Sequence, residues 1–449
     1  MAGSRSGHVV CYVVEEKQWW DVGSRQSDMA TVRPLDLDGF DRWLVEQGML
    51  GLPLDTQLAE YCQRIFDCGF PMKRAQMGMN TLHPQFGSHT FVWRPDTGSI
   101  EYTPRERTIV NEQVYLRSPV HYMRSKGILN LRRRLDIDDP EGFDLFEELR
   151  AEGFTEYAAC VVPYDPADAE ALANDSVTLD RPGTPNRALD GVFFSCATDR
   201  PEGFDDRQLN QVLETLPFLA LSVKSRLTYD VASTVVETYL GRDAGHRILT
   251  GAIERGSTEA IRAVIWFSDL RGFTRLTDAL PHDSLIEMLD DYLEAMARPV
   301  QDNNGQILKF MGDGLLATFD LTARDESAVC ADALKAADEL RRTFPWFNRE
   351  RRTVGKPVMD FGLALHLGDV LYGNIGANDR LDFTVVGPAV NEASRIQALC
   401  RPLEQNILIS RTFRNSAGAT DLLNSLGFHE LRDVREPQEL FSLEARGRM

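Results

Sequence analysis

No apolar run in the 449 residues approaches the ~18 that a membrane-spanning helix needs, so no transmembrane helix is read. Met1 to Gln18 lack a long apolar core, and no signal peptide is expected. Positive charge is in deficit: 49 Lys and Arg stand against 68 Asp and Glu, a net charge of −19. A protein whose main partner is nucleic acid is usually basic, at least locally, so that class is excluded. The one dense basic run, Arg132-Arg133-Arg134, reads as a solvated face or an internal partner for acidic loops. Cysteine is scarce, and the seven residues (Cys11, Cys62, Cys68, Cys160, Cys196, Cys330, Cys400) are scattered with no metal-type spacing. That excludes a disulfide framework and a zinc site, and implies reduced thiols, some buried, in a cytoplasmic protein. What is left is a soluble globular chain, 43% hydrophobic, long enough for two or three domains.

The N-terminal half carries structural signals but no chemistry-bearing motif. Residues 1–30 read as a polar, flexible tail. Phe40, Trp43 and Leu44, then Leu58, Tyr61 and Ile65, have helical spacing, and Gly48, Gly51 and Pro53 split them into two short helices. His89–Arg94 and Ser99–Tyr102 flank a Pro95-Asp96-Thr97-Gly98 reversal, and Tyr157–Tyr164 and Gly191–Thr198 are two more apolar strands. Pro166–Arg187 is a long polar loop. Asp205 to about Arg226 is an amphipathic helix, with a kink or interruption expected at Pro217. Leu216, Ala220, Val223, Leu227 and Val231 form a seam suited to a paired helix. Gly241-Arg242-Asp243-Ala244-Gly245 ends that helix, and a second short one, about Ala244 to Glu254, follows.

The chemistry lies between Ala263 and Asp320. Ile265-Trp266-Phe267-Ser268-Asp269-Leu270-Arg271-Gly272-Phe273-Thr274 is a buried strand that delivers Asp269 at its end, before a Gly turn whose N–H groups can face an anion. Gln306–Met311 is a strand entering a Gly312-Asp313-Gly314 reversal, with Gly on both sides expected to allow positive φ. If the two strands are neighbours, two carboxylates meet beside a phosphate-sized pocket, an arrangement suited to hard divalent cations. From Ala263 the order is strand, helix, strand, strand, helix, strand, a split βαββαβ unit. Its first helix has Leu285, Met288, Leu289, Tyr292, Leu293, Met296 and Val300 on one face, with Ser284 and Glu287 as a capping box. Met359–Leu367 is the fourth strand, Val370–Ile375 with Asp382–Val386 a hairpin, Asn391–Cys400 a helix, Asn406–Ser410 a strand, and Glu439–Leu443 an edge.

Phe267–Thr274, Lys309–Gly314 and Asp382–Arg395, three motifs in this order, resemble the class III nucleotidyl cyclase catalytic domain. The resemblance runs from about Ala260 to the C-terminus. It implies an α+β fold with a ferredoxin-like βαββαβ catalytic domain, 259–449, while the apolar seam and the two glycines before it read as a helical dimerisation and transducer linker, 213–258. Ala197–Asp205, with the strands before and the helix after, resembles the last part of a GAF-type α/β sensor domain, placed at 31–212.

For the site, the cyclase resemblance implies two divalent ions, Mg2+ or Mn2+, shared by Asp269 and Asp313, with the carbonyl of Leu270 as a further ligand. Turn amides from Leu270 through Gly272 and Phe273 would hold the terminal phosphates. Lys309 would donate to adenine N1, Thr384 accept from the 6-amino group, Asn391 orient the ribose and Arg395 offset charge on the α-phosphoryl group. Arg432 and Arg435 both lie near the place of a triphosphate-binding basic residue. Thr384, where many members have Asp, is similar to a Thr-type subgroup, and Lys309 favours ATP over GTP. The resemblance implies a homodimer with shared sites, making cyclic AMP from ATP under a small-molecule or protein signal at the N-terminal domain. A guanylate or relaxed-specificity cyclase and a non-catalytic nucleotide-binding regulator are the alternatives, and the complete residue set argues against the last.

Overall fold

The computed structural model describes residues 33–106, 113–136, 142–165, 191–277, 280–322, 324–418 and 422–443. The expectations for residues 1–30 and the loop 166–187 fall outside them. The chain divides into two compact units, Met1–Val235 and Val236–Met449.

In the first unit the chain runs α1 (Phe40–Leu50), α2 (Leu54–Asp67), β1 (Arg74–Asn80), β2 (Phe86–Trp93), β3 (Ile100–Glu106), α3 (Gln113–Leu116) and α4 (Pro119–Lys126). It continues β4 (Asn130–Arg134), α5 (Asp144–Ala151), β5 (Glu156–Pro163), β6 (Gly191–Thr198) and the long helix α6 (Asp206–Leu240). The six strands form one sheet, β3-β2-β1-β6-β5-β4. Every pairing in it is antiparallel, so this unit is α+β, a correction to the α/β expectation. The β1–β2 and β2–β3 connections are too short for helical crossovers.

The Asp205 carboxylate caps α6 by accepting from the N–H groups of Arg207 and Gln208 at 3.0 and 3.1 Å. The interruption expected at Pro217 does not occur: the helix runs through it. Burial of Leu209, Val212, Leu216, Leu219 and Val223 in one core offsets the ~3 kcal/mol cost of an interior proline. The expected paired-helix seam is also corrected, because Leu216, Ala220, Val223 and Leu227 are buried in this unit's own core. The basic run works internally: Arg132 donates to Glu156, Asp206 and the carbonyl of Phe204.

The second unit opens with α7 (Arg242–Leu249), then β7 (Thr258–Arg271), α8 (Phe273–Thr277), α9 (His282–Asp302), β8 (Gln306–Met311) and β9 (Gly314–Asp320). It continues α10 (Glu326–Thr353), β10 (Asp360–Gly376), β11 (Leu381–Val386), α11 (Pro388–Ala398), β12 (Ile407–Ser410), α12 (Arg411–Ala417), β13 (Leu423–His429) and β14 (Gln438–Leu443). The sheet order is β13-β14-β12-β10-β7-β9-β8, with β11 also on β10. β14 is therefore interior and β13 takes the edge, because β13 pairs along the outer side of β14. β10 is a single 17-residue strand where two had been expected, since β7 pairs with it from Arg271/Asp360 to Thr258/Gly373.

The core lies mainly between this sheet and α9 with α10. Met288, Tyr292, Met296 and Val300, one turn apart, are buried against Trp266, Phe319 and Phe361. α9 begins at His282 behind Pro281, which makes no side-chain cap, so Ser284 lies inside the first turn and the capping box is absent. The Tyr292 hydroxyl donates to Asn348 and accepts from the Met359 N–H at 2.8 Å, tying α9, α10 and the approach to β10. Tyr292→Phe leaves those buried partners unsatisfied and is expected to cost ~1–3 kcal/mol, read as an earlier urea midpoint for this unit.

The described cysteines are all free thiols. Burial pushes Cys160 and Cys330 up to about 12 and Cys400 to about 11, and raises Cys62 and Cys196 as well.

Candidate active site

β7 alternates two faces. Val264, Trp266 and Leu270 face the α9–α10 core, while Ala263, Ile265 and Phe267 face a second core with α11 and β11. Asp269 continues the second series and emerges half-buried at the strand's end. Its strand neighbour is β9 rather than β8, and Asp269 lies opposite Gly314, one residue beyond Asp313. That register, with the β8–β9 turn, brings the two carboxylates together.

Each glycine flanking Asp313 has a different task. Gly312 has φ 67°, a left-handed turn position. Gly314 has no positive φ; a Cβ there would sit 3.1 Å from the Ser268 carbonyl and 3.2 Å from the Asp269 carboxylate. Burial, then the nearby Asp313 charge and a hydrogen bond to Asp313, raises the Asp269 carboxyl to about 6. Two carboxylates held together, with only hard oxygen donors between them, form a donor set suited to a small divalent cation. Among the described residues no three His, Cys, Asp or Glu side chains converge, so backbone carbonyl, water or phosphate must complete such a site.

The Leu270 N–H donates to the Asp313 carbonyl at 3.2 Å, so this amide is spent within the fold and is not among those open to an anion. Gly272 follows in an exposed turn at φ 91°, and Phe273 begins α8.

The other expected site residues lie elsewhere on the unit. Lys309 is on β8, its Nζ 3.7 Å from Asp382 at the start of β11. Thr384 is only 6% exposed, and its hydroxyl has no hydrogen-bond partner. Such a group costs free energy until something pairs with it. α11 begins with Pro388 after Gly387 and presents Asn391 and Arg395 one turn apart. Arg395 lies 3.4 Å from Asp433, which Arg432 approaches at 3.6 Å. Arg435 is exposed. The carboxylates of Asp382 and Asp433 were missed from sequence; Asp382 opens the Asp382–Val386 strand, the one local signal that could have singled it out.

Asp269 and Thr384 flank different ends of β10. Asp269 pairs with Gly362, whereas Thr384 pairs with Gly373, eleven positions further along β10.

The second unit is an α+β domain with paired carboxylates at the end of its first strand. Residues 257–429 match the family model "Adenylate and Guanylate cyclase catalytic domain", and this part of the chain is a class III cyclase catalytic domain. An adenylate cyclase of Anabaena cylindrica is 36% identical over 164 residues, 36% of this chain and 32% of that protein. Adenylate cyclase 1 of Rhizobium meliloti is 27% identical over 147 residues, 32% of this chain and 22% of that protein. The chain thus spans a third or less of these relatives' length. Among solved structures, the adenylyl cyclase CyaB of P. aeruginosa is 25% identical, covering 43% of this chain and 98% of that one, with a TM-score of 0.39. No helix among the described residues is long and apolar enough to cross a membrane.

Proposed function

We propose that this chain is an adenylate cyclase of the Thr-type subgroup that converts ATP to 3′,5′-cyclic AMP and pyrophosphate at sites shared by two copies. The Asp269–Asp313 pair carries the reading, since among the described residues neither carboxylate makes an ion pair. The donor set fits two Mg2+ or Mn2+ ions, held by Asp269, Asp313 and the Leu270 carbonyl. Bound there, the ions would neutralise charge on the attacking 3′-oxygen and on the departing pyrophosphate. The amides of Gly272 and Phe273 donate to the terminal phosphates, with no share taken by Leu270.

From the other copy, Lys309 donates to adenine N1 and the Thr384 hydroxyl accepts from the 6-amino group. Asn391 orients the ribose, and Arg395 donates to oxygens of the α-phosphoryl group as their charge grows.

The division proposed with this function is a tail (1–30), a GAF-like sensor (31–212), a transducer linker (213–258) and the catalytic domain (259–449), in a cytoplasmic protein. The boundary between the two compact units at Val235/Val236 falls inside that linker. Product analysis of the full chain with ATP and Mn2+ tests the reading. Cyclic AMP is expected, and its absence at saturating nucleotide and metal overturns it.

Base choice provides a finer check. Lys309→Glu combined with Thr384→Cys reverses the donor and acceptor pattern and is expected to shift the ATP/GTP ratio of kcat/KM at least about tenfold toward GTP. An unchanged ratio would show that these residues do not read the base.

A further inference from the structure

The first unit contains an open pocket of about 320 Å³ at the β2–β3 side of its sheet, bordered by the start of α2 and by α6. Its volume lies within the ~300–1,000 Å³ typical of small-molecule sites.

One wall is aromatic. Phe91 and Tyr102, opposite each other on β2 and β3, stack with centroids 5.0 Å apart and ring planes at 27°. His89 fixes the phenol through a 2.9 Å hydrogen bond between its Nδ1 and the Tyr102 hydroxyl. Burial holds the His89 ring below its usual range, so at neutral pH it adds no charge.

The polar side is acidic. Arg226, the one guanidinium in the lining, is already spent: it pairs with Asp230 at 2.7 Å and donates to the Gly51 carbonyl at 2.8 Å. Asp55 makes no ion pair among the described residues; its Oδ1 accepts only from the N–H and hydroxyl of Thr56, at 2.7 and 3.3 Å. The pocket thus offers π faces and one carboxylate without an ion pair among the described residues, the combination that selects organic cations.

We propose that this cavity is a binding site for a small aromatic amine in its cationic form, with the ring against His89, Phe91 and Tyr102 and the ammonium group on Asp55. An anion would meet an uncompensated carboxylate, and a neutral ring of the same shape would lose the charge contact. The site is separate from the nucleotide site and does not rest on the cyclase reading. Four lining residues, Arg226, Leu227, Asp230 and Thr234, belong to α6.

The test uses three probes that share a ring and differ in charge: tryptamine, indole and indole-3-acetate. Each is titrated calorimetrically into the full chain at pH 7. Tryptamine is expected to bind one per chain, at least about tenfold tighter than indole-3-acetate. Asp55→Asn is expected to weaken tryptamine about tenfold while leaving indole unchanged, and Thr234→Trp, which fills the cavity, to abolish binding of both. Unaltered circular dichroism confirms that the variants fold, and Asp55, exposed on the first turn of α2, is the one most tolerant of change. The proposal is overturned if tryptamine shows no saturable binding at millimolar concentration, or if indole-3-acetate binds as well. It also fails if tryptamine binding survives Asp55→Asn or Thr234→Trp unchanged.

Discussion

Asp269→Ala is expected to lower cyclic nucleotide production at least about a thousandfold at saturating Mg2+ or Mn2+, a loss of ~4 kcal/mol in transition-state stabilisation. The domain should remain folded, because the side chain sits half-buried at a strand end and packs no core. The stability effect should even have the opposite sign. The Asp269 carboxyl is raised to about 6 in the fold, against an ordinary value near 4 in the unfolded chain. A raised pKa means that its favourable contribution is fully present below about pH 4 and is lost as pH rises through about 6. At pH 7, without metal, the ionised group is therefore a burden held beside Asp313, and alanine relieves it. Thermal unfolding in chelator at pH 7 should show the variant at least as stable as the parent, with the parent gaining more from added divalent cation. Normal turnover in the variant would refute the metal-ligand assignment. A large loss of stability in chelator would mean that Asp269 is structural.

Mixing two inactive variants is expected to restore activity. Asp269→Ala removes a group from the metal side of a site, and Arg395→Ala removes one from the base side. With sites shared under two-fold symmetry, a mixed dimer has one site with both defects and one with neither. Equal amounts mixed at random make about half the dimers heterodimeric, each with one good site of two, so about a quarter of the parent activity should return. Subunit exchange must first be demonstrated, for example by energy transfer between differently labelled chains. If exchange occurs and activity stays at the level of the separate variants, the shared-site reading fails.

The catalytic unit was the more legible half of the chain because its signals are local. The turn-by-turn spacing of Met288, Tyr292, Met296 and Val300 marks a helix face without reference to any partner. Gly312-Asp313-Gly314 marks a turn for similar reasons, although only Gly312 uses a left-handed backbone and Gly314 is small to admit Asp269.

What escaped the sequence depends on distant partners. β4 reads Asn-Leu-Arg-Arg-Arg, a poor strand by propensity, and is stable because Arg132 meets Glu156 and Asp206. Lys309 and Arg395 were singled out from the sequence, but the carboxylates that lie beside them, Asp382 and Asp433, are remote in sequence. The Leu216–Leu227 series was misassigned for a different reason: a helix shows the same apolar period whether it faces its own sheet or a second copy. Burial alone distinguishes the two.

The distribution of thiols turns the molecule into its own pair of clocks. Cys62 and Cys196 are buried in the first unit, Cys330 and Cys400 in the second, and burial disfavours the reactive thiolate in each. Under native conditions an alkylating reagent can reach them only when the surrounding structure opens. Mass-resolved labelling rates therefore report the opening free energy of each unit separately, in one sample and without an introduced probe. Nucleotide and divalent cation should slow the Cys330 and Cys400 clock, and tryptamine the Cys62 and Cys196 clock, so each ligand's home can be read from which pair of thiols it silences.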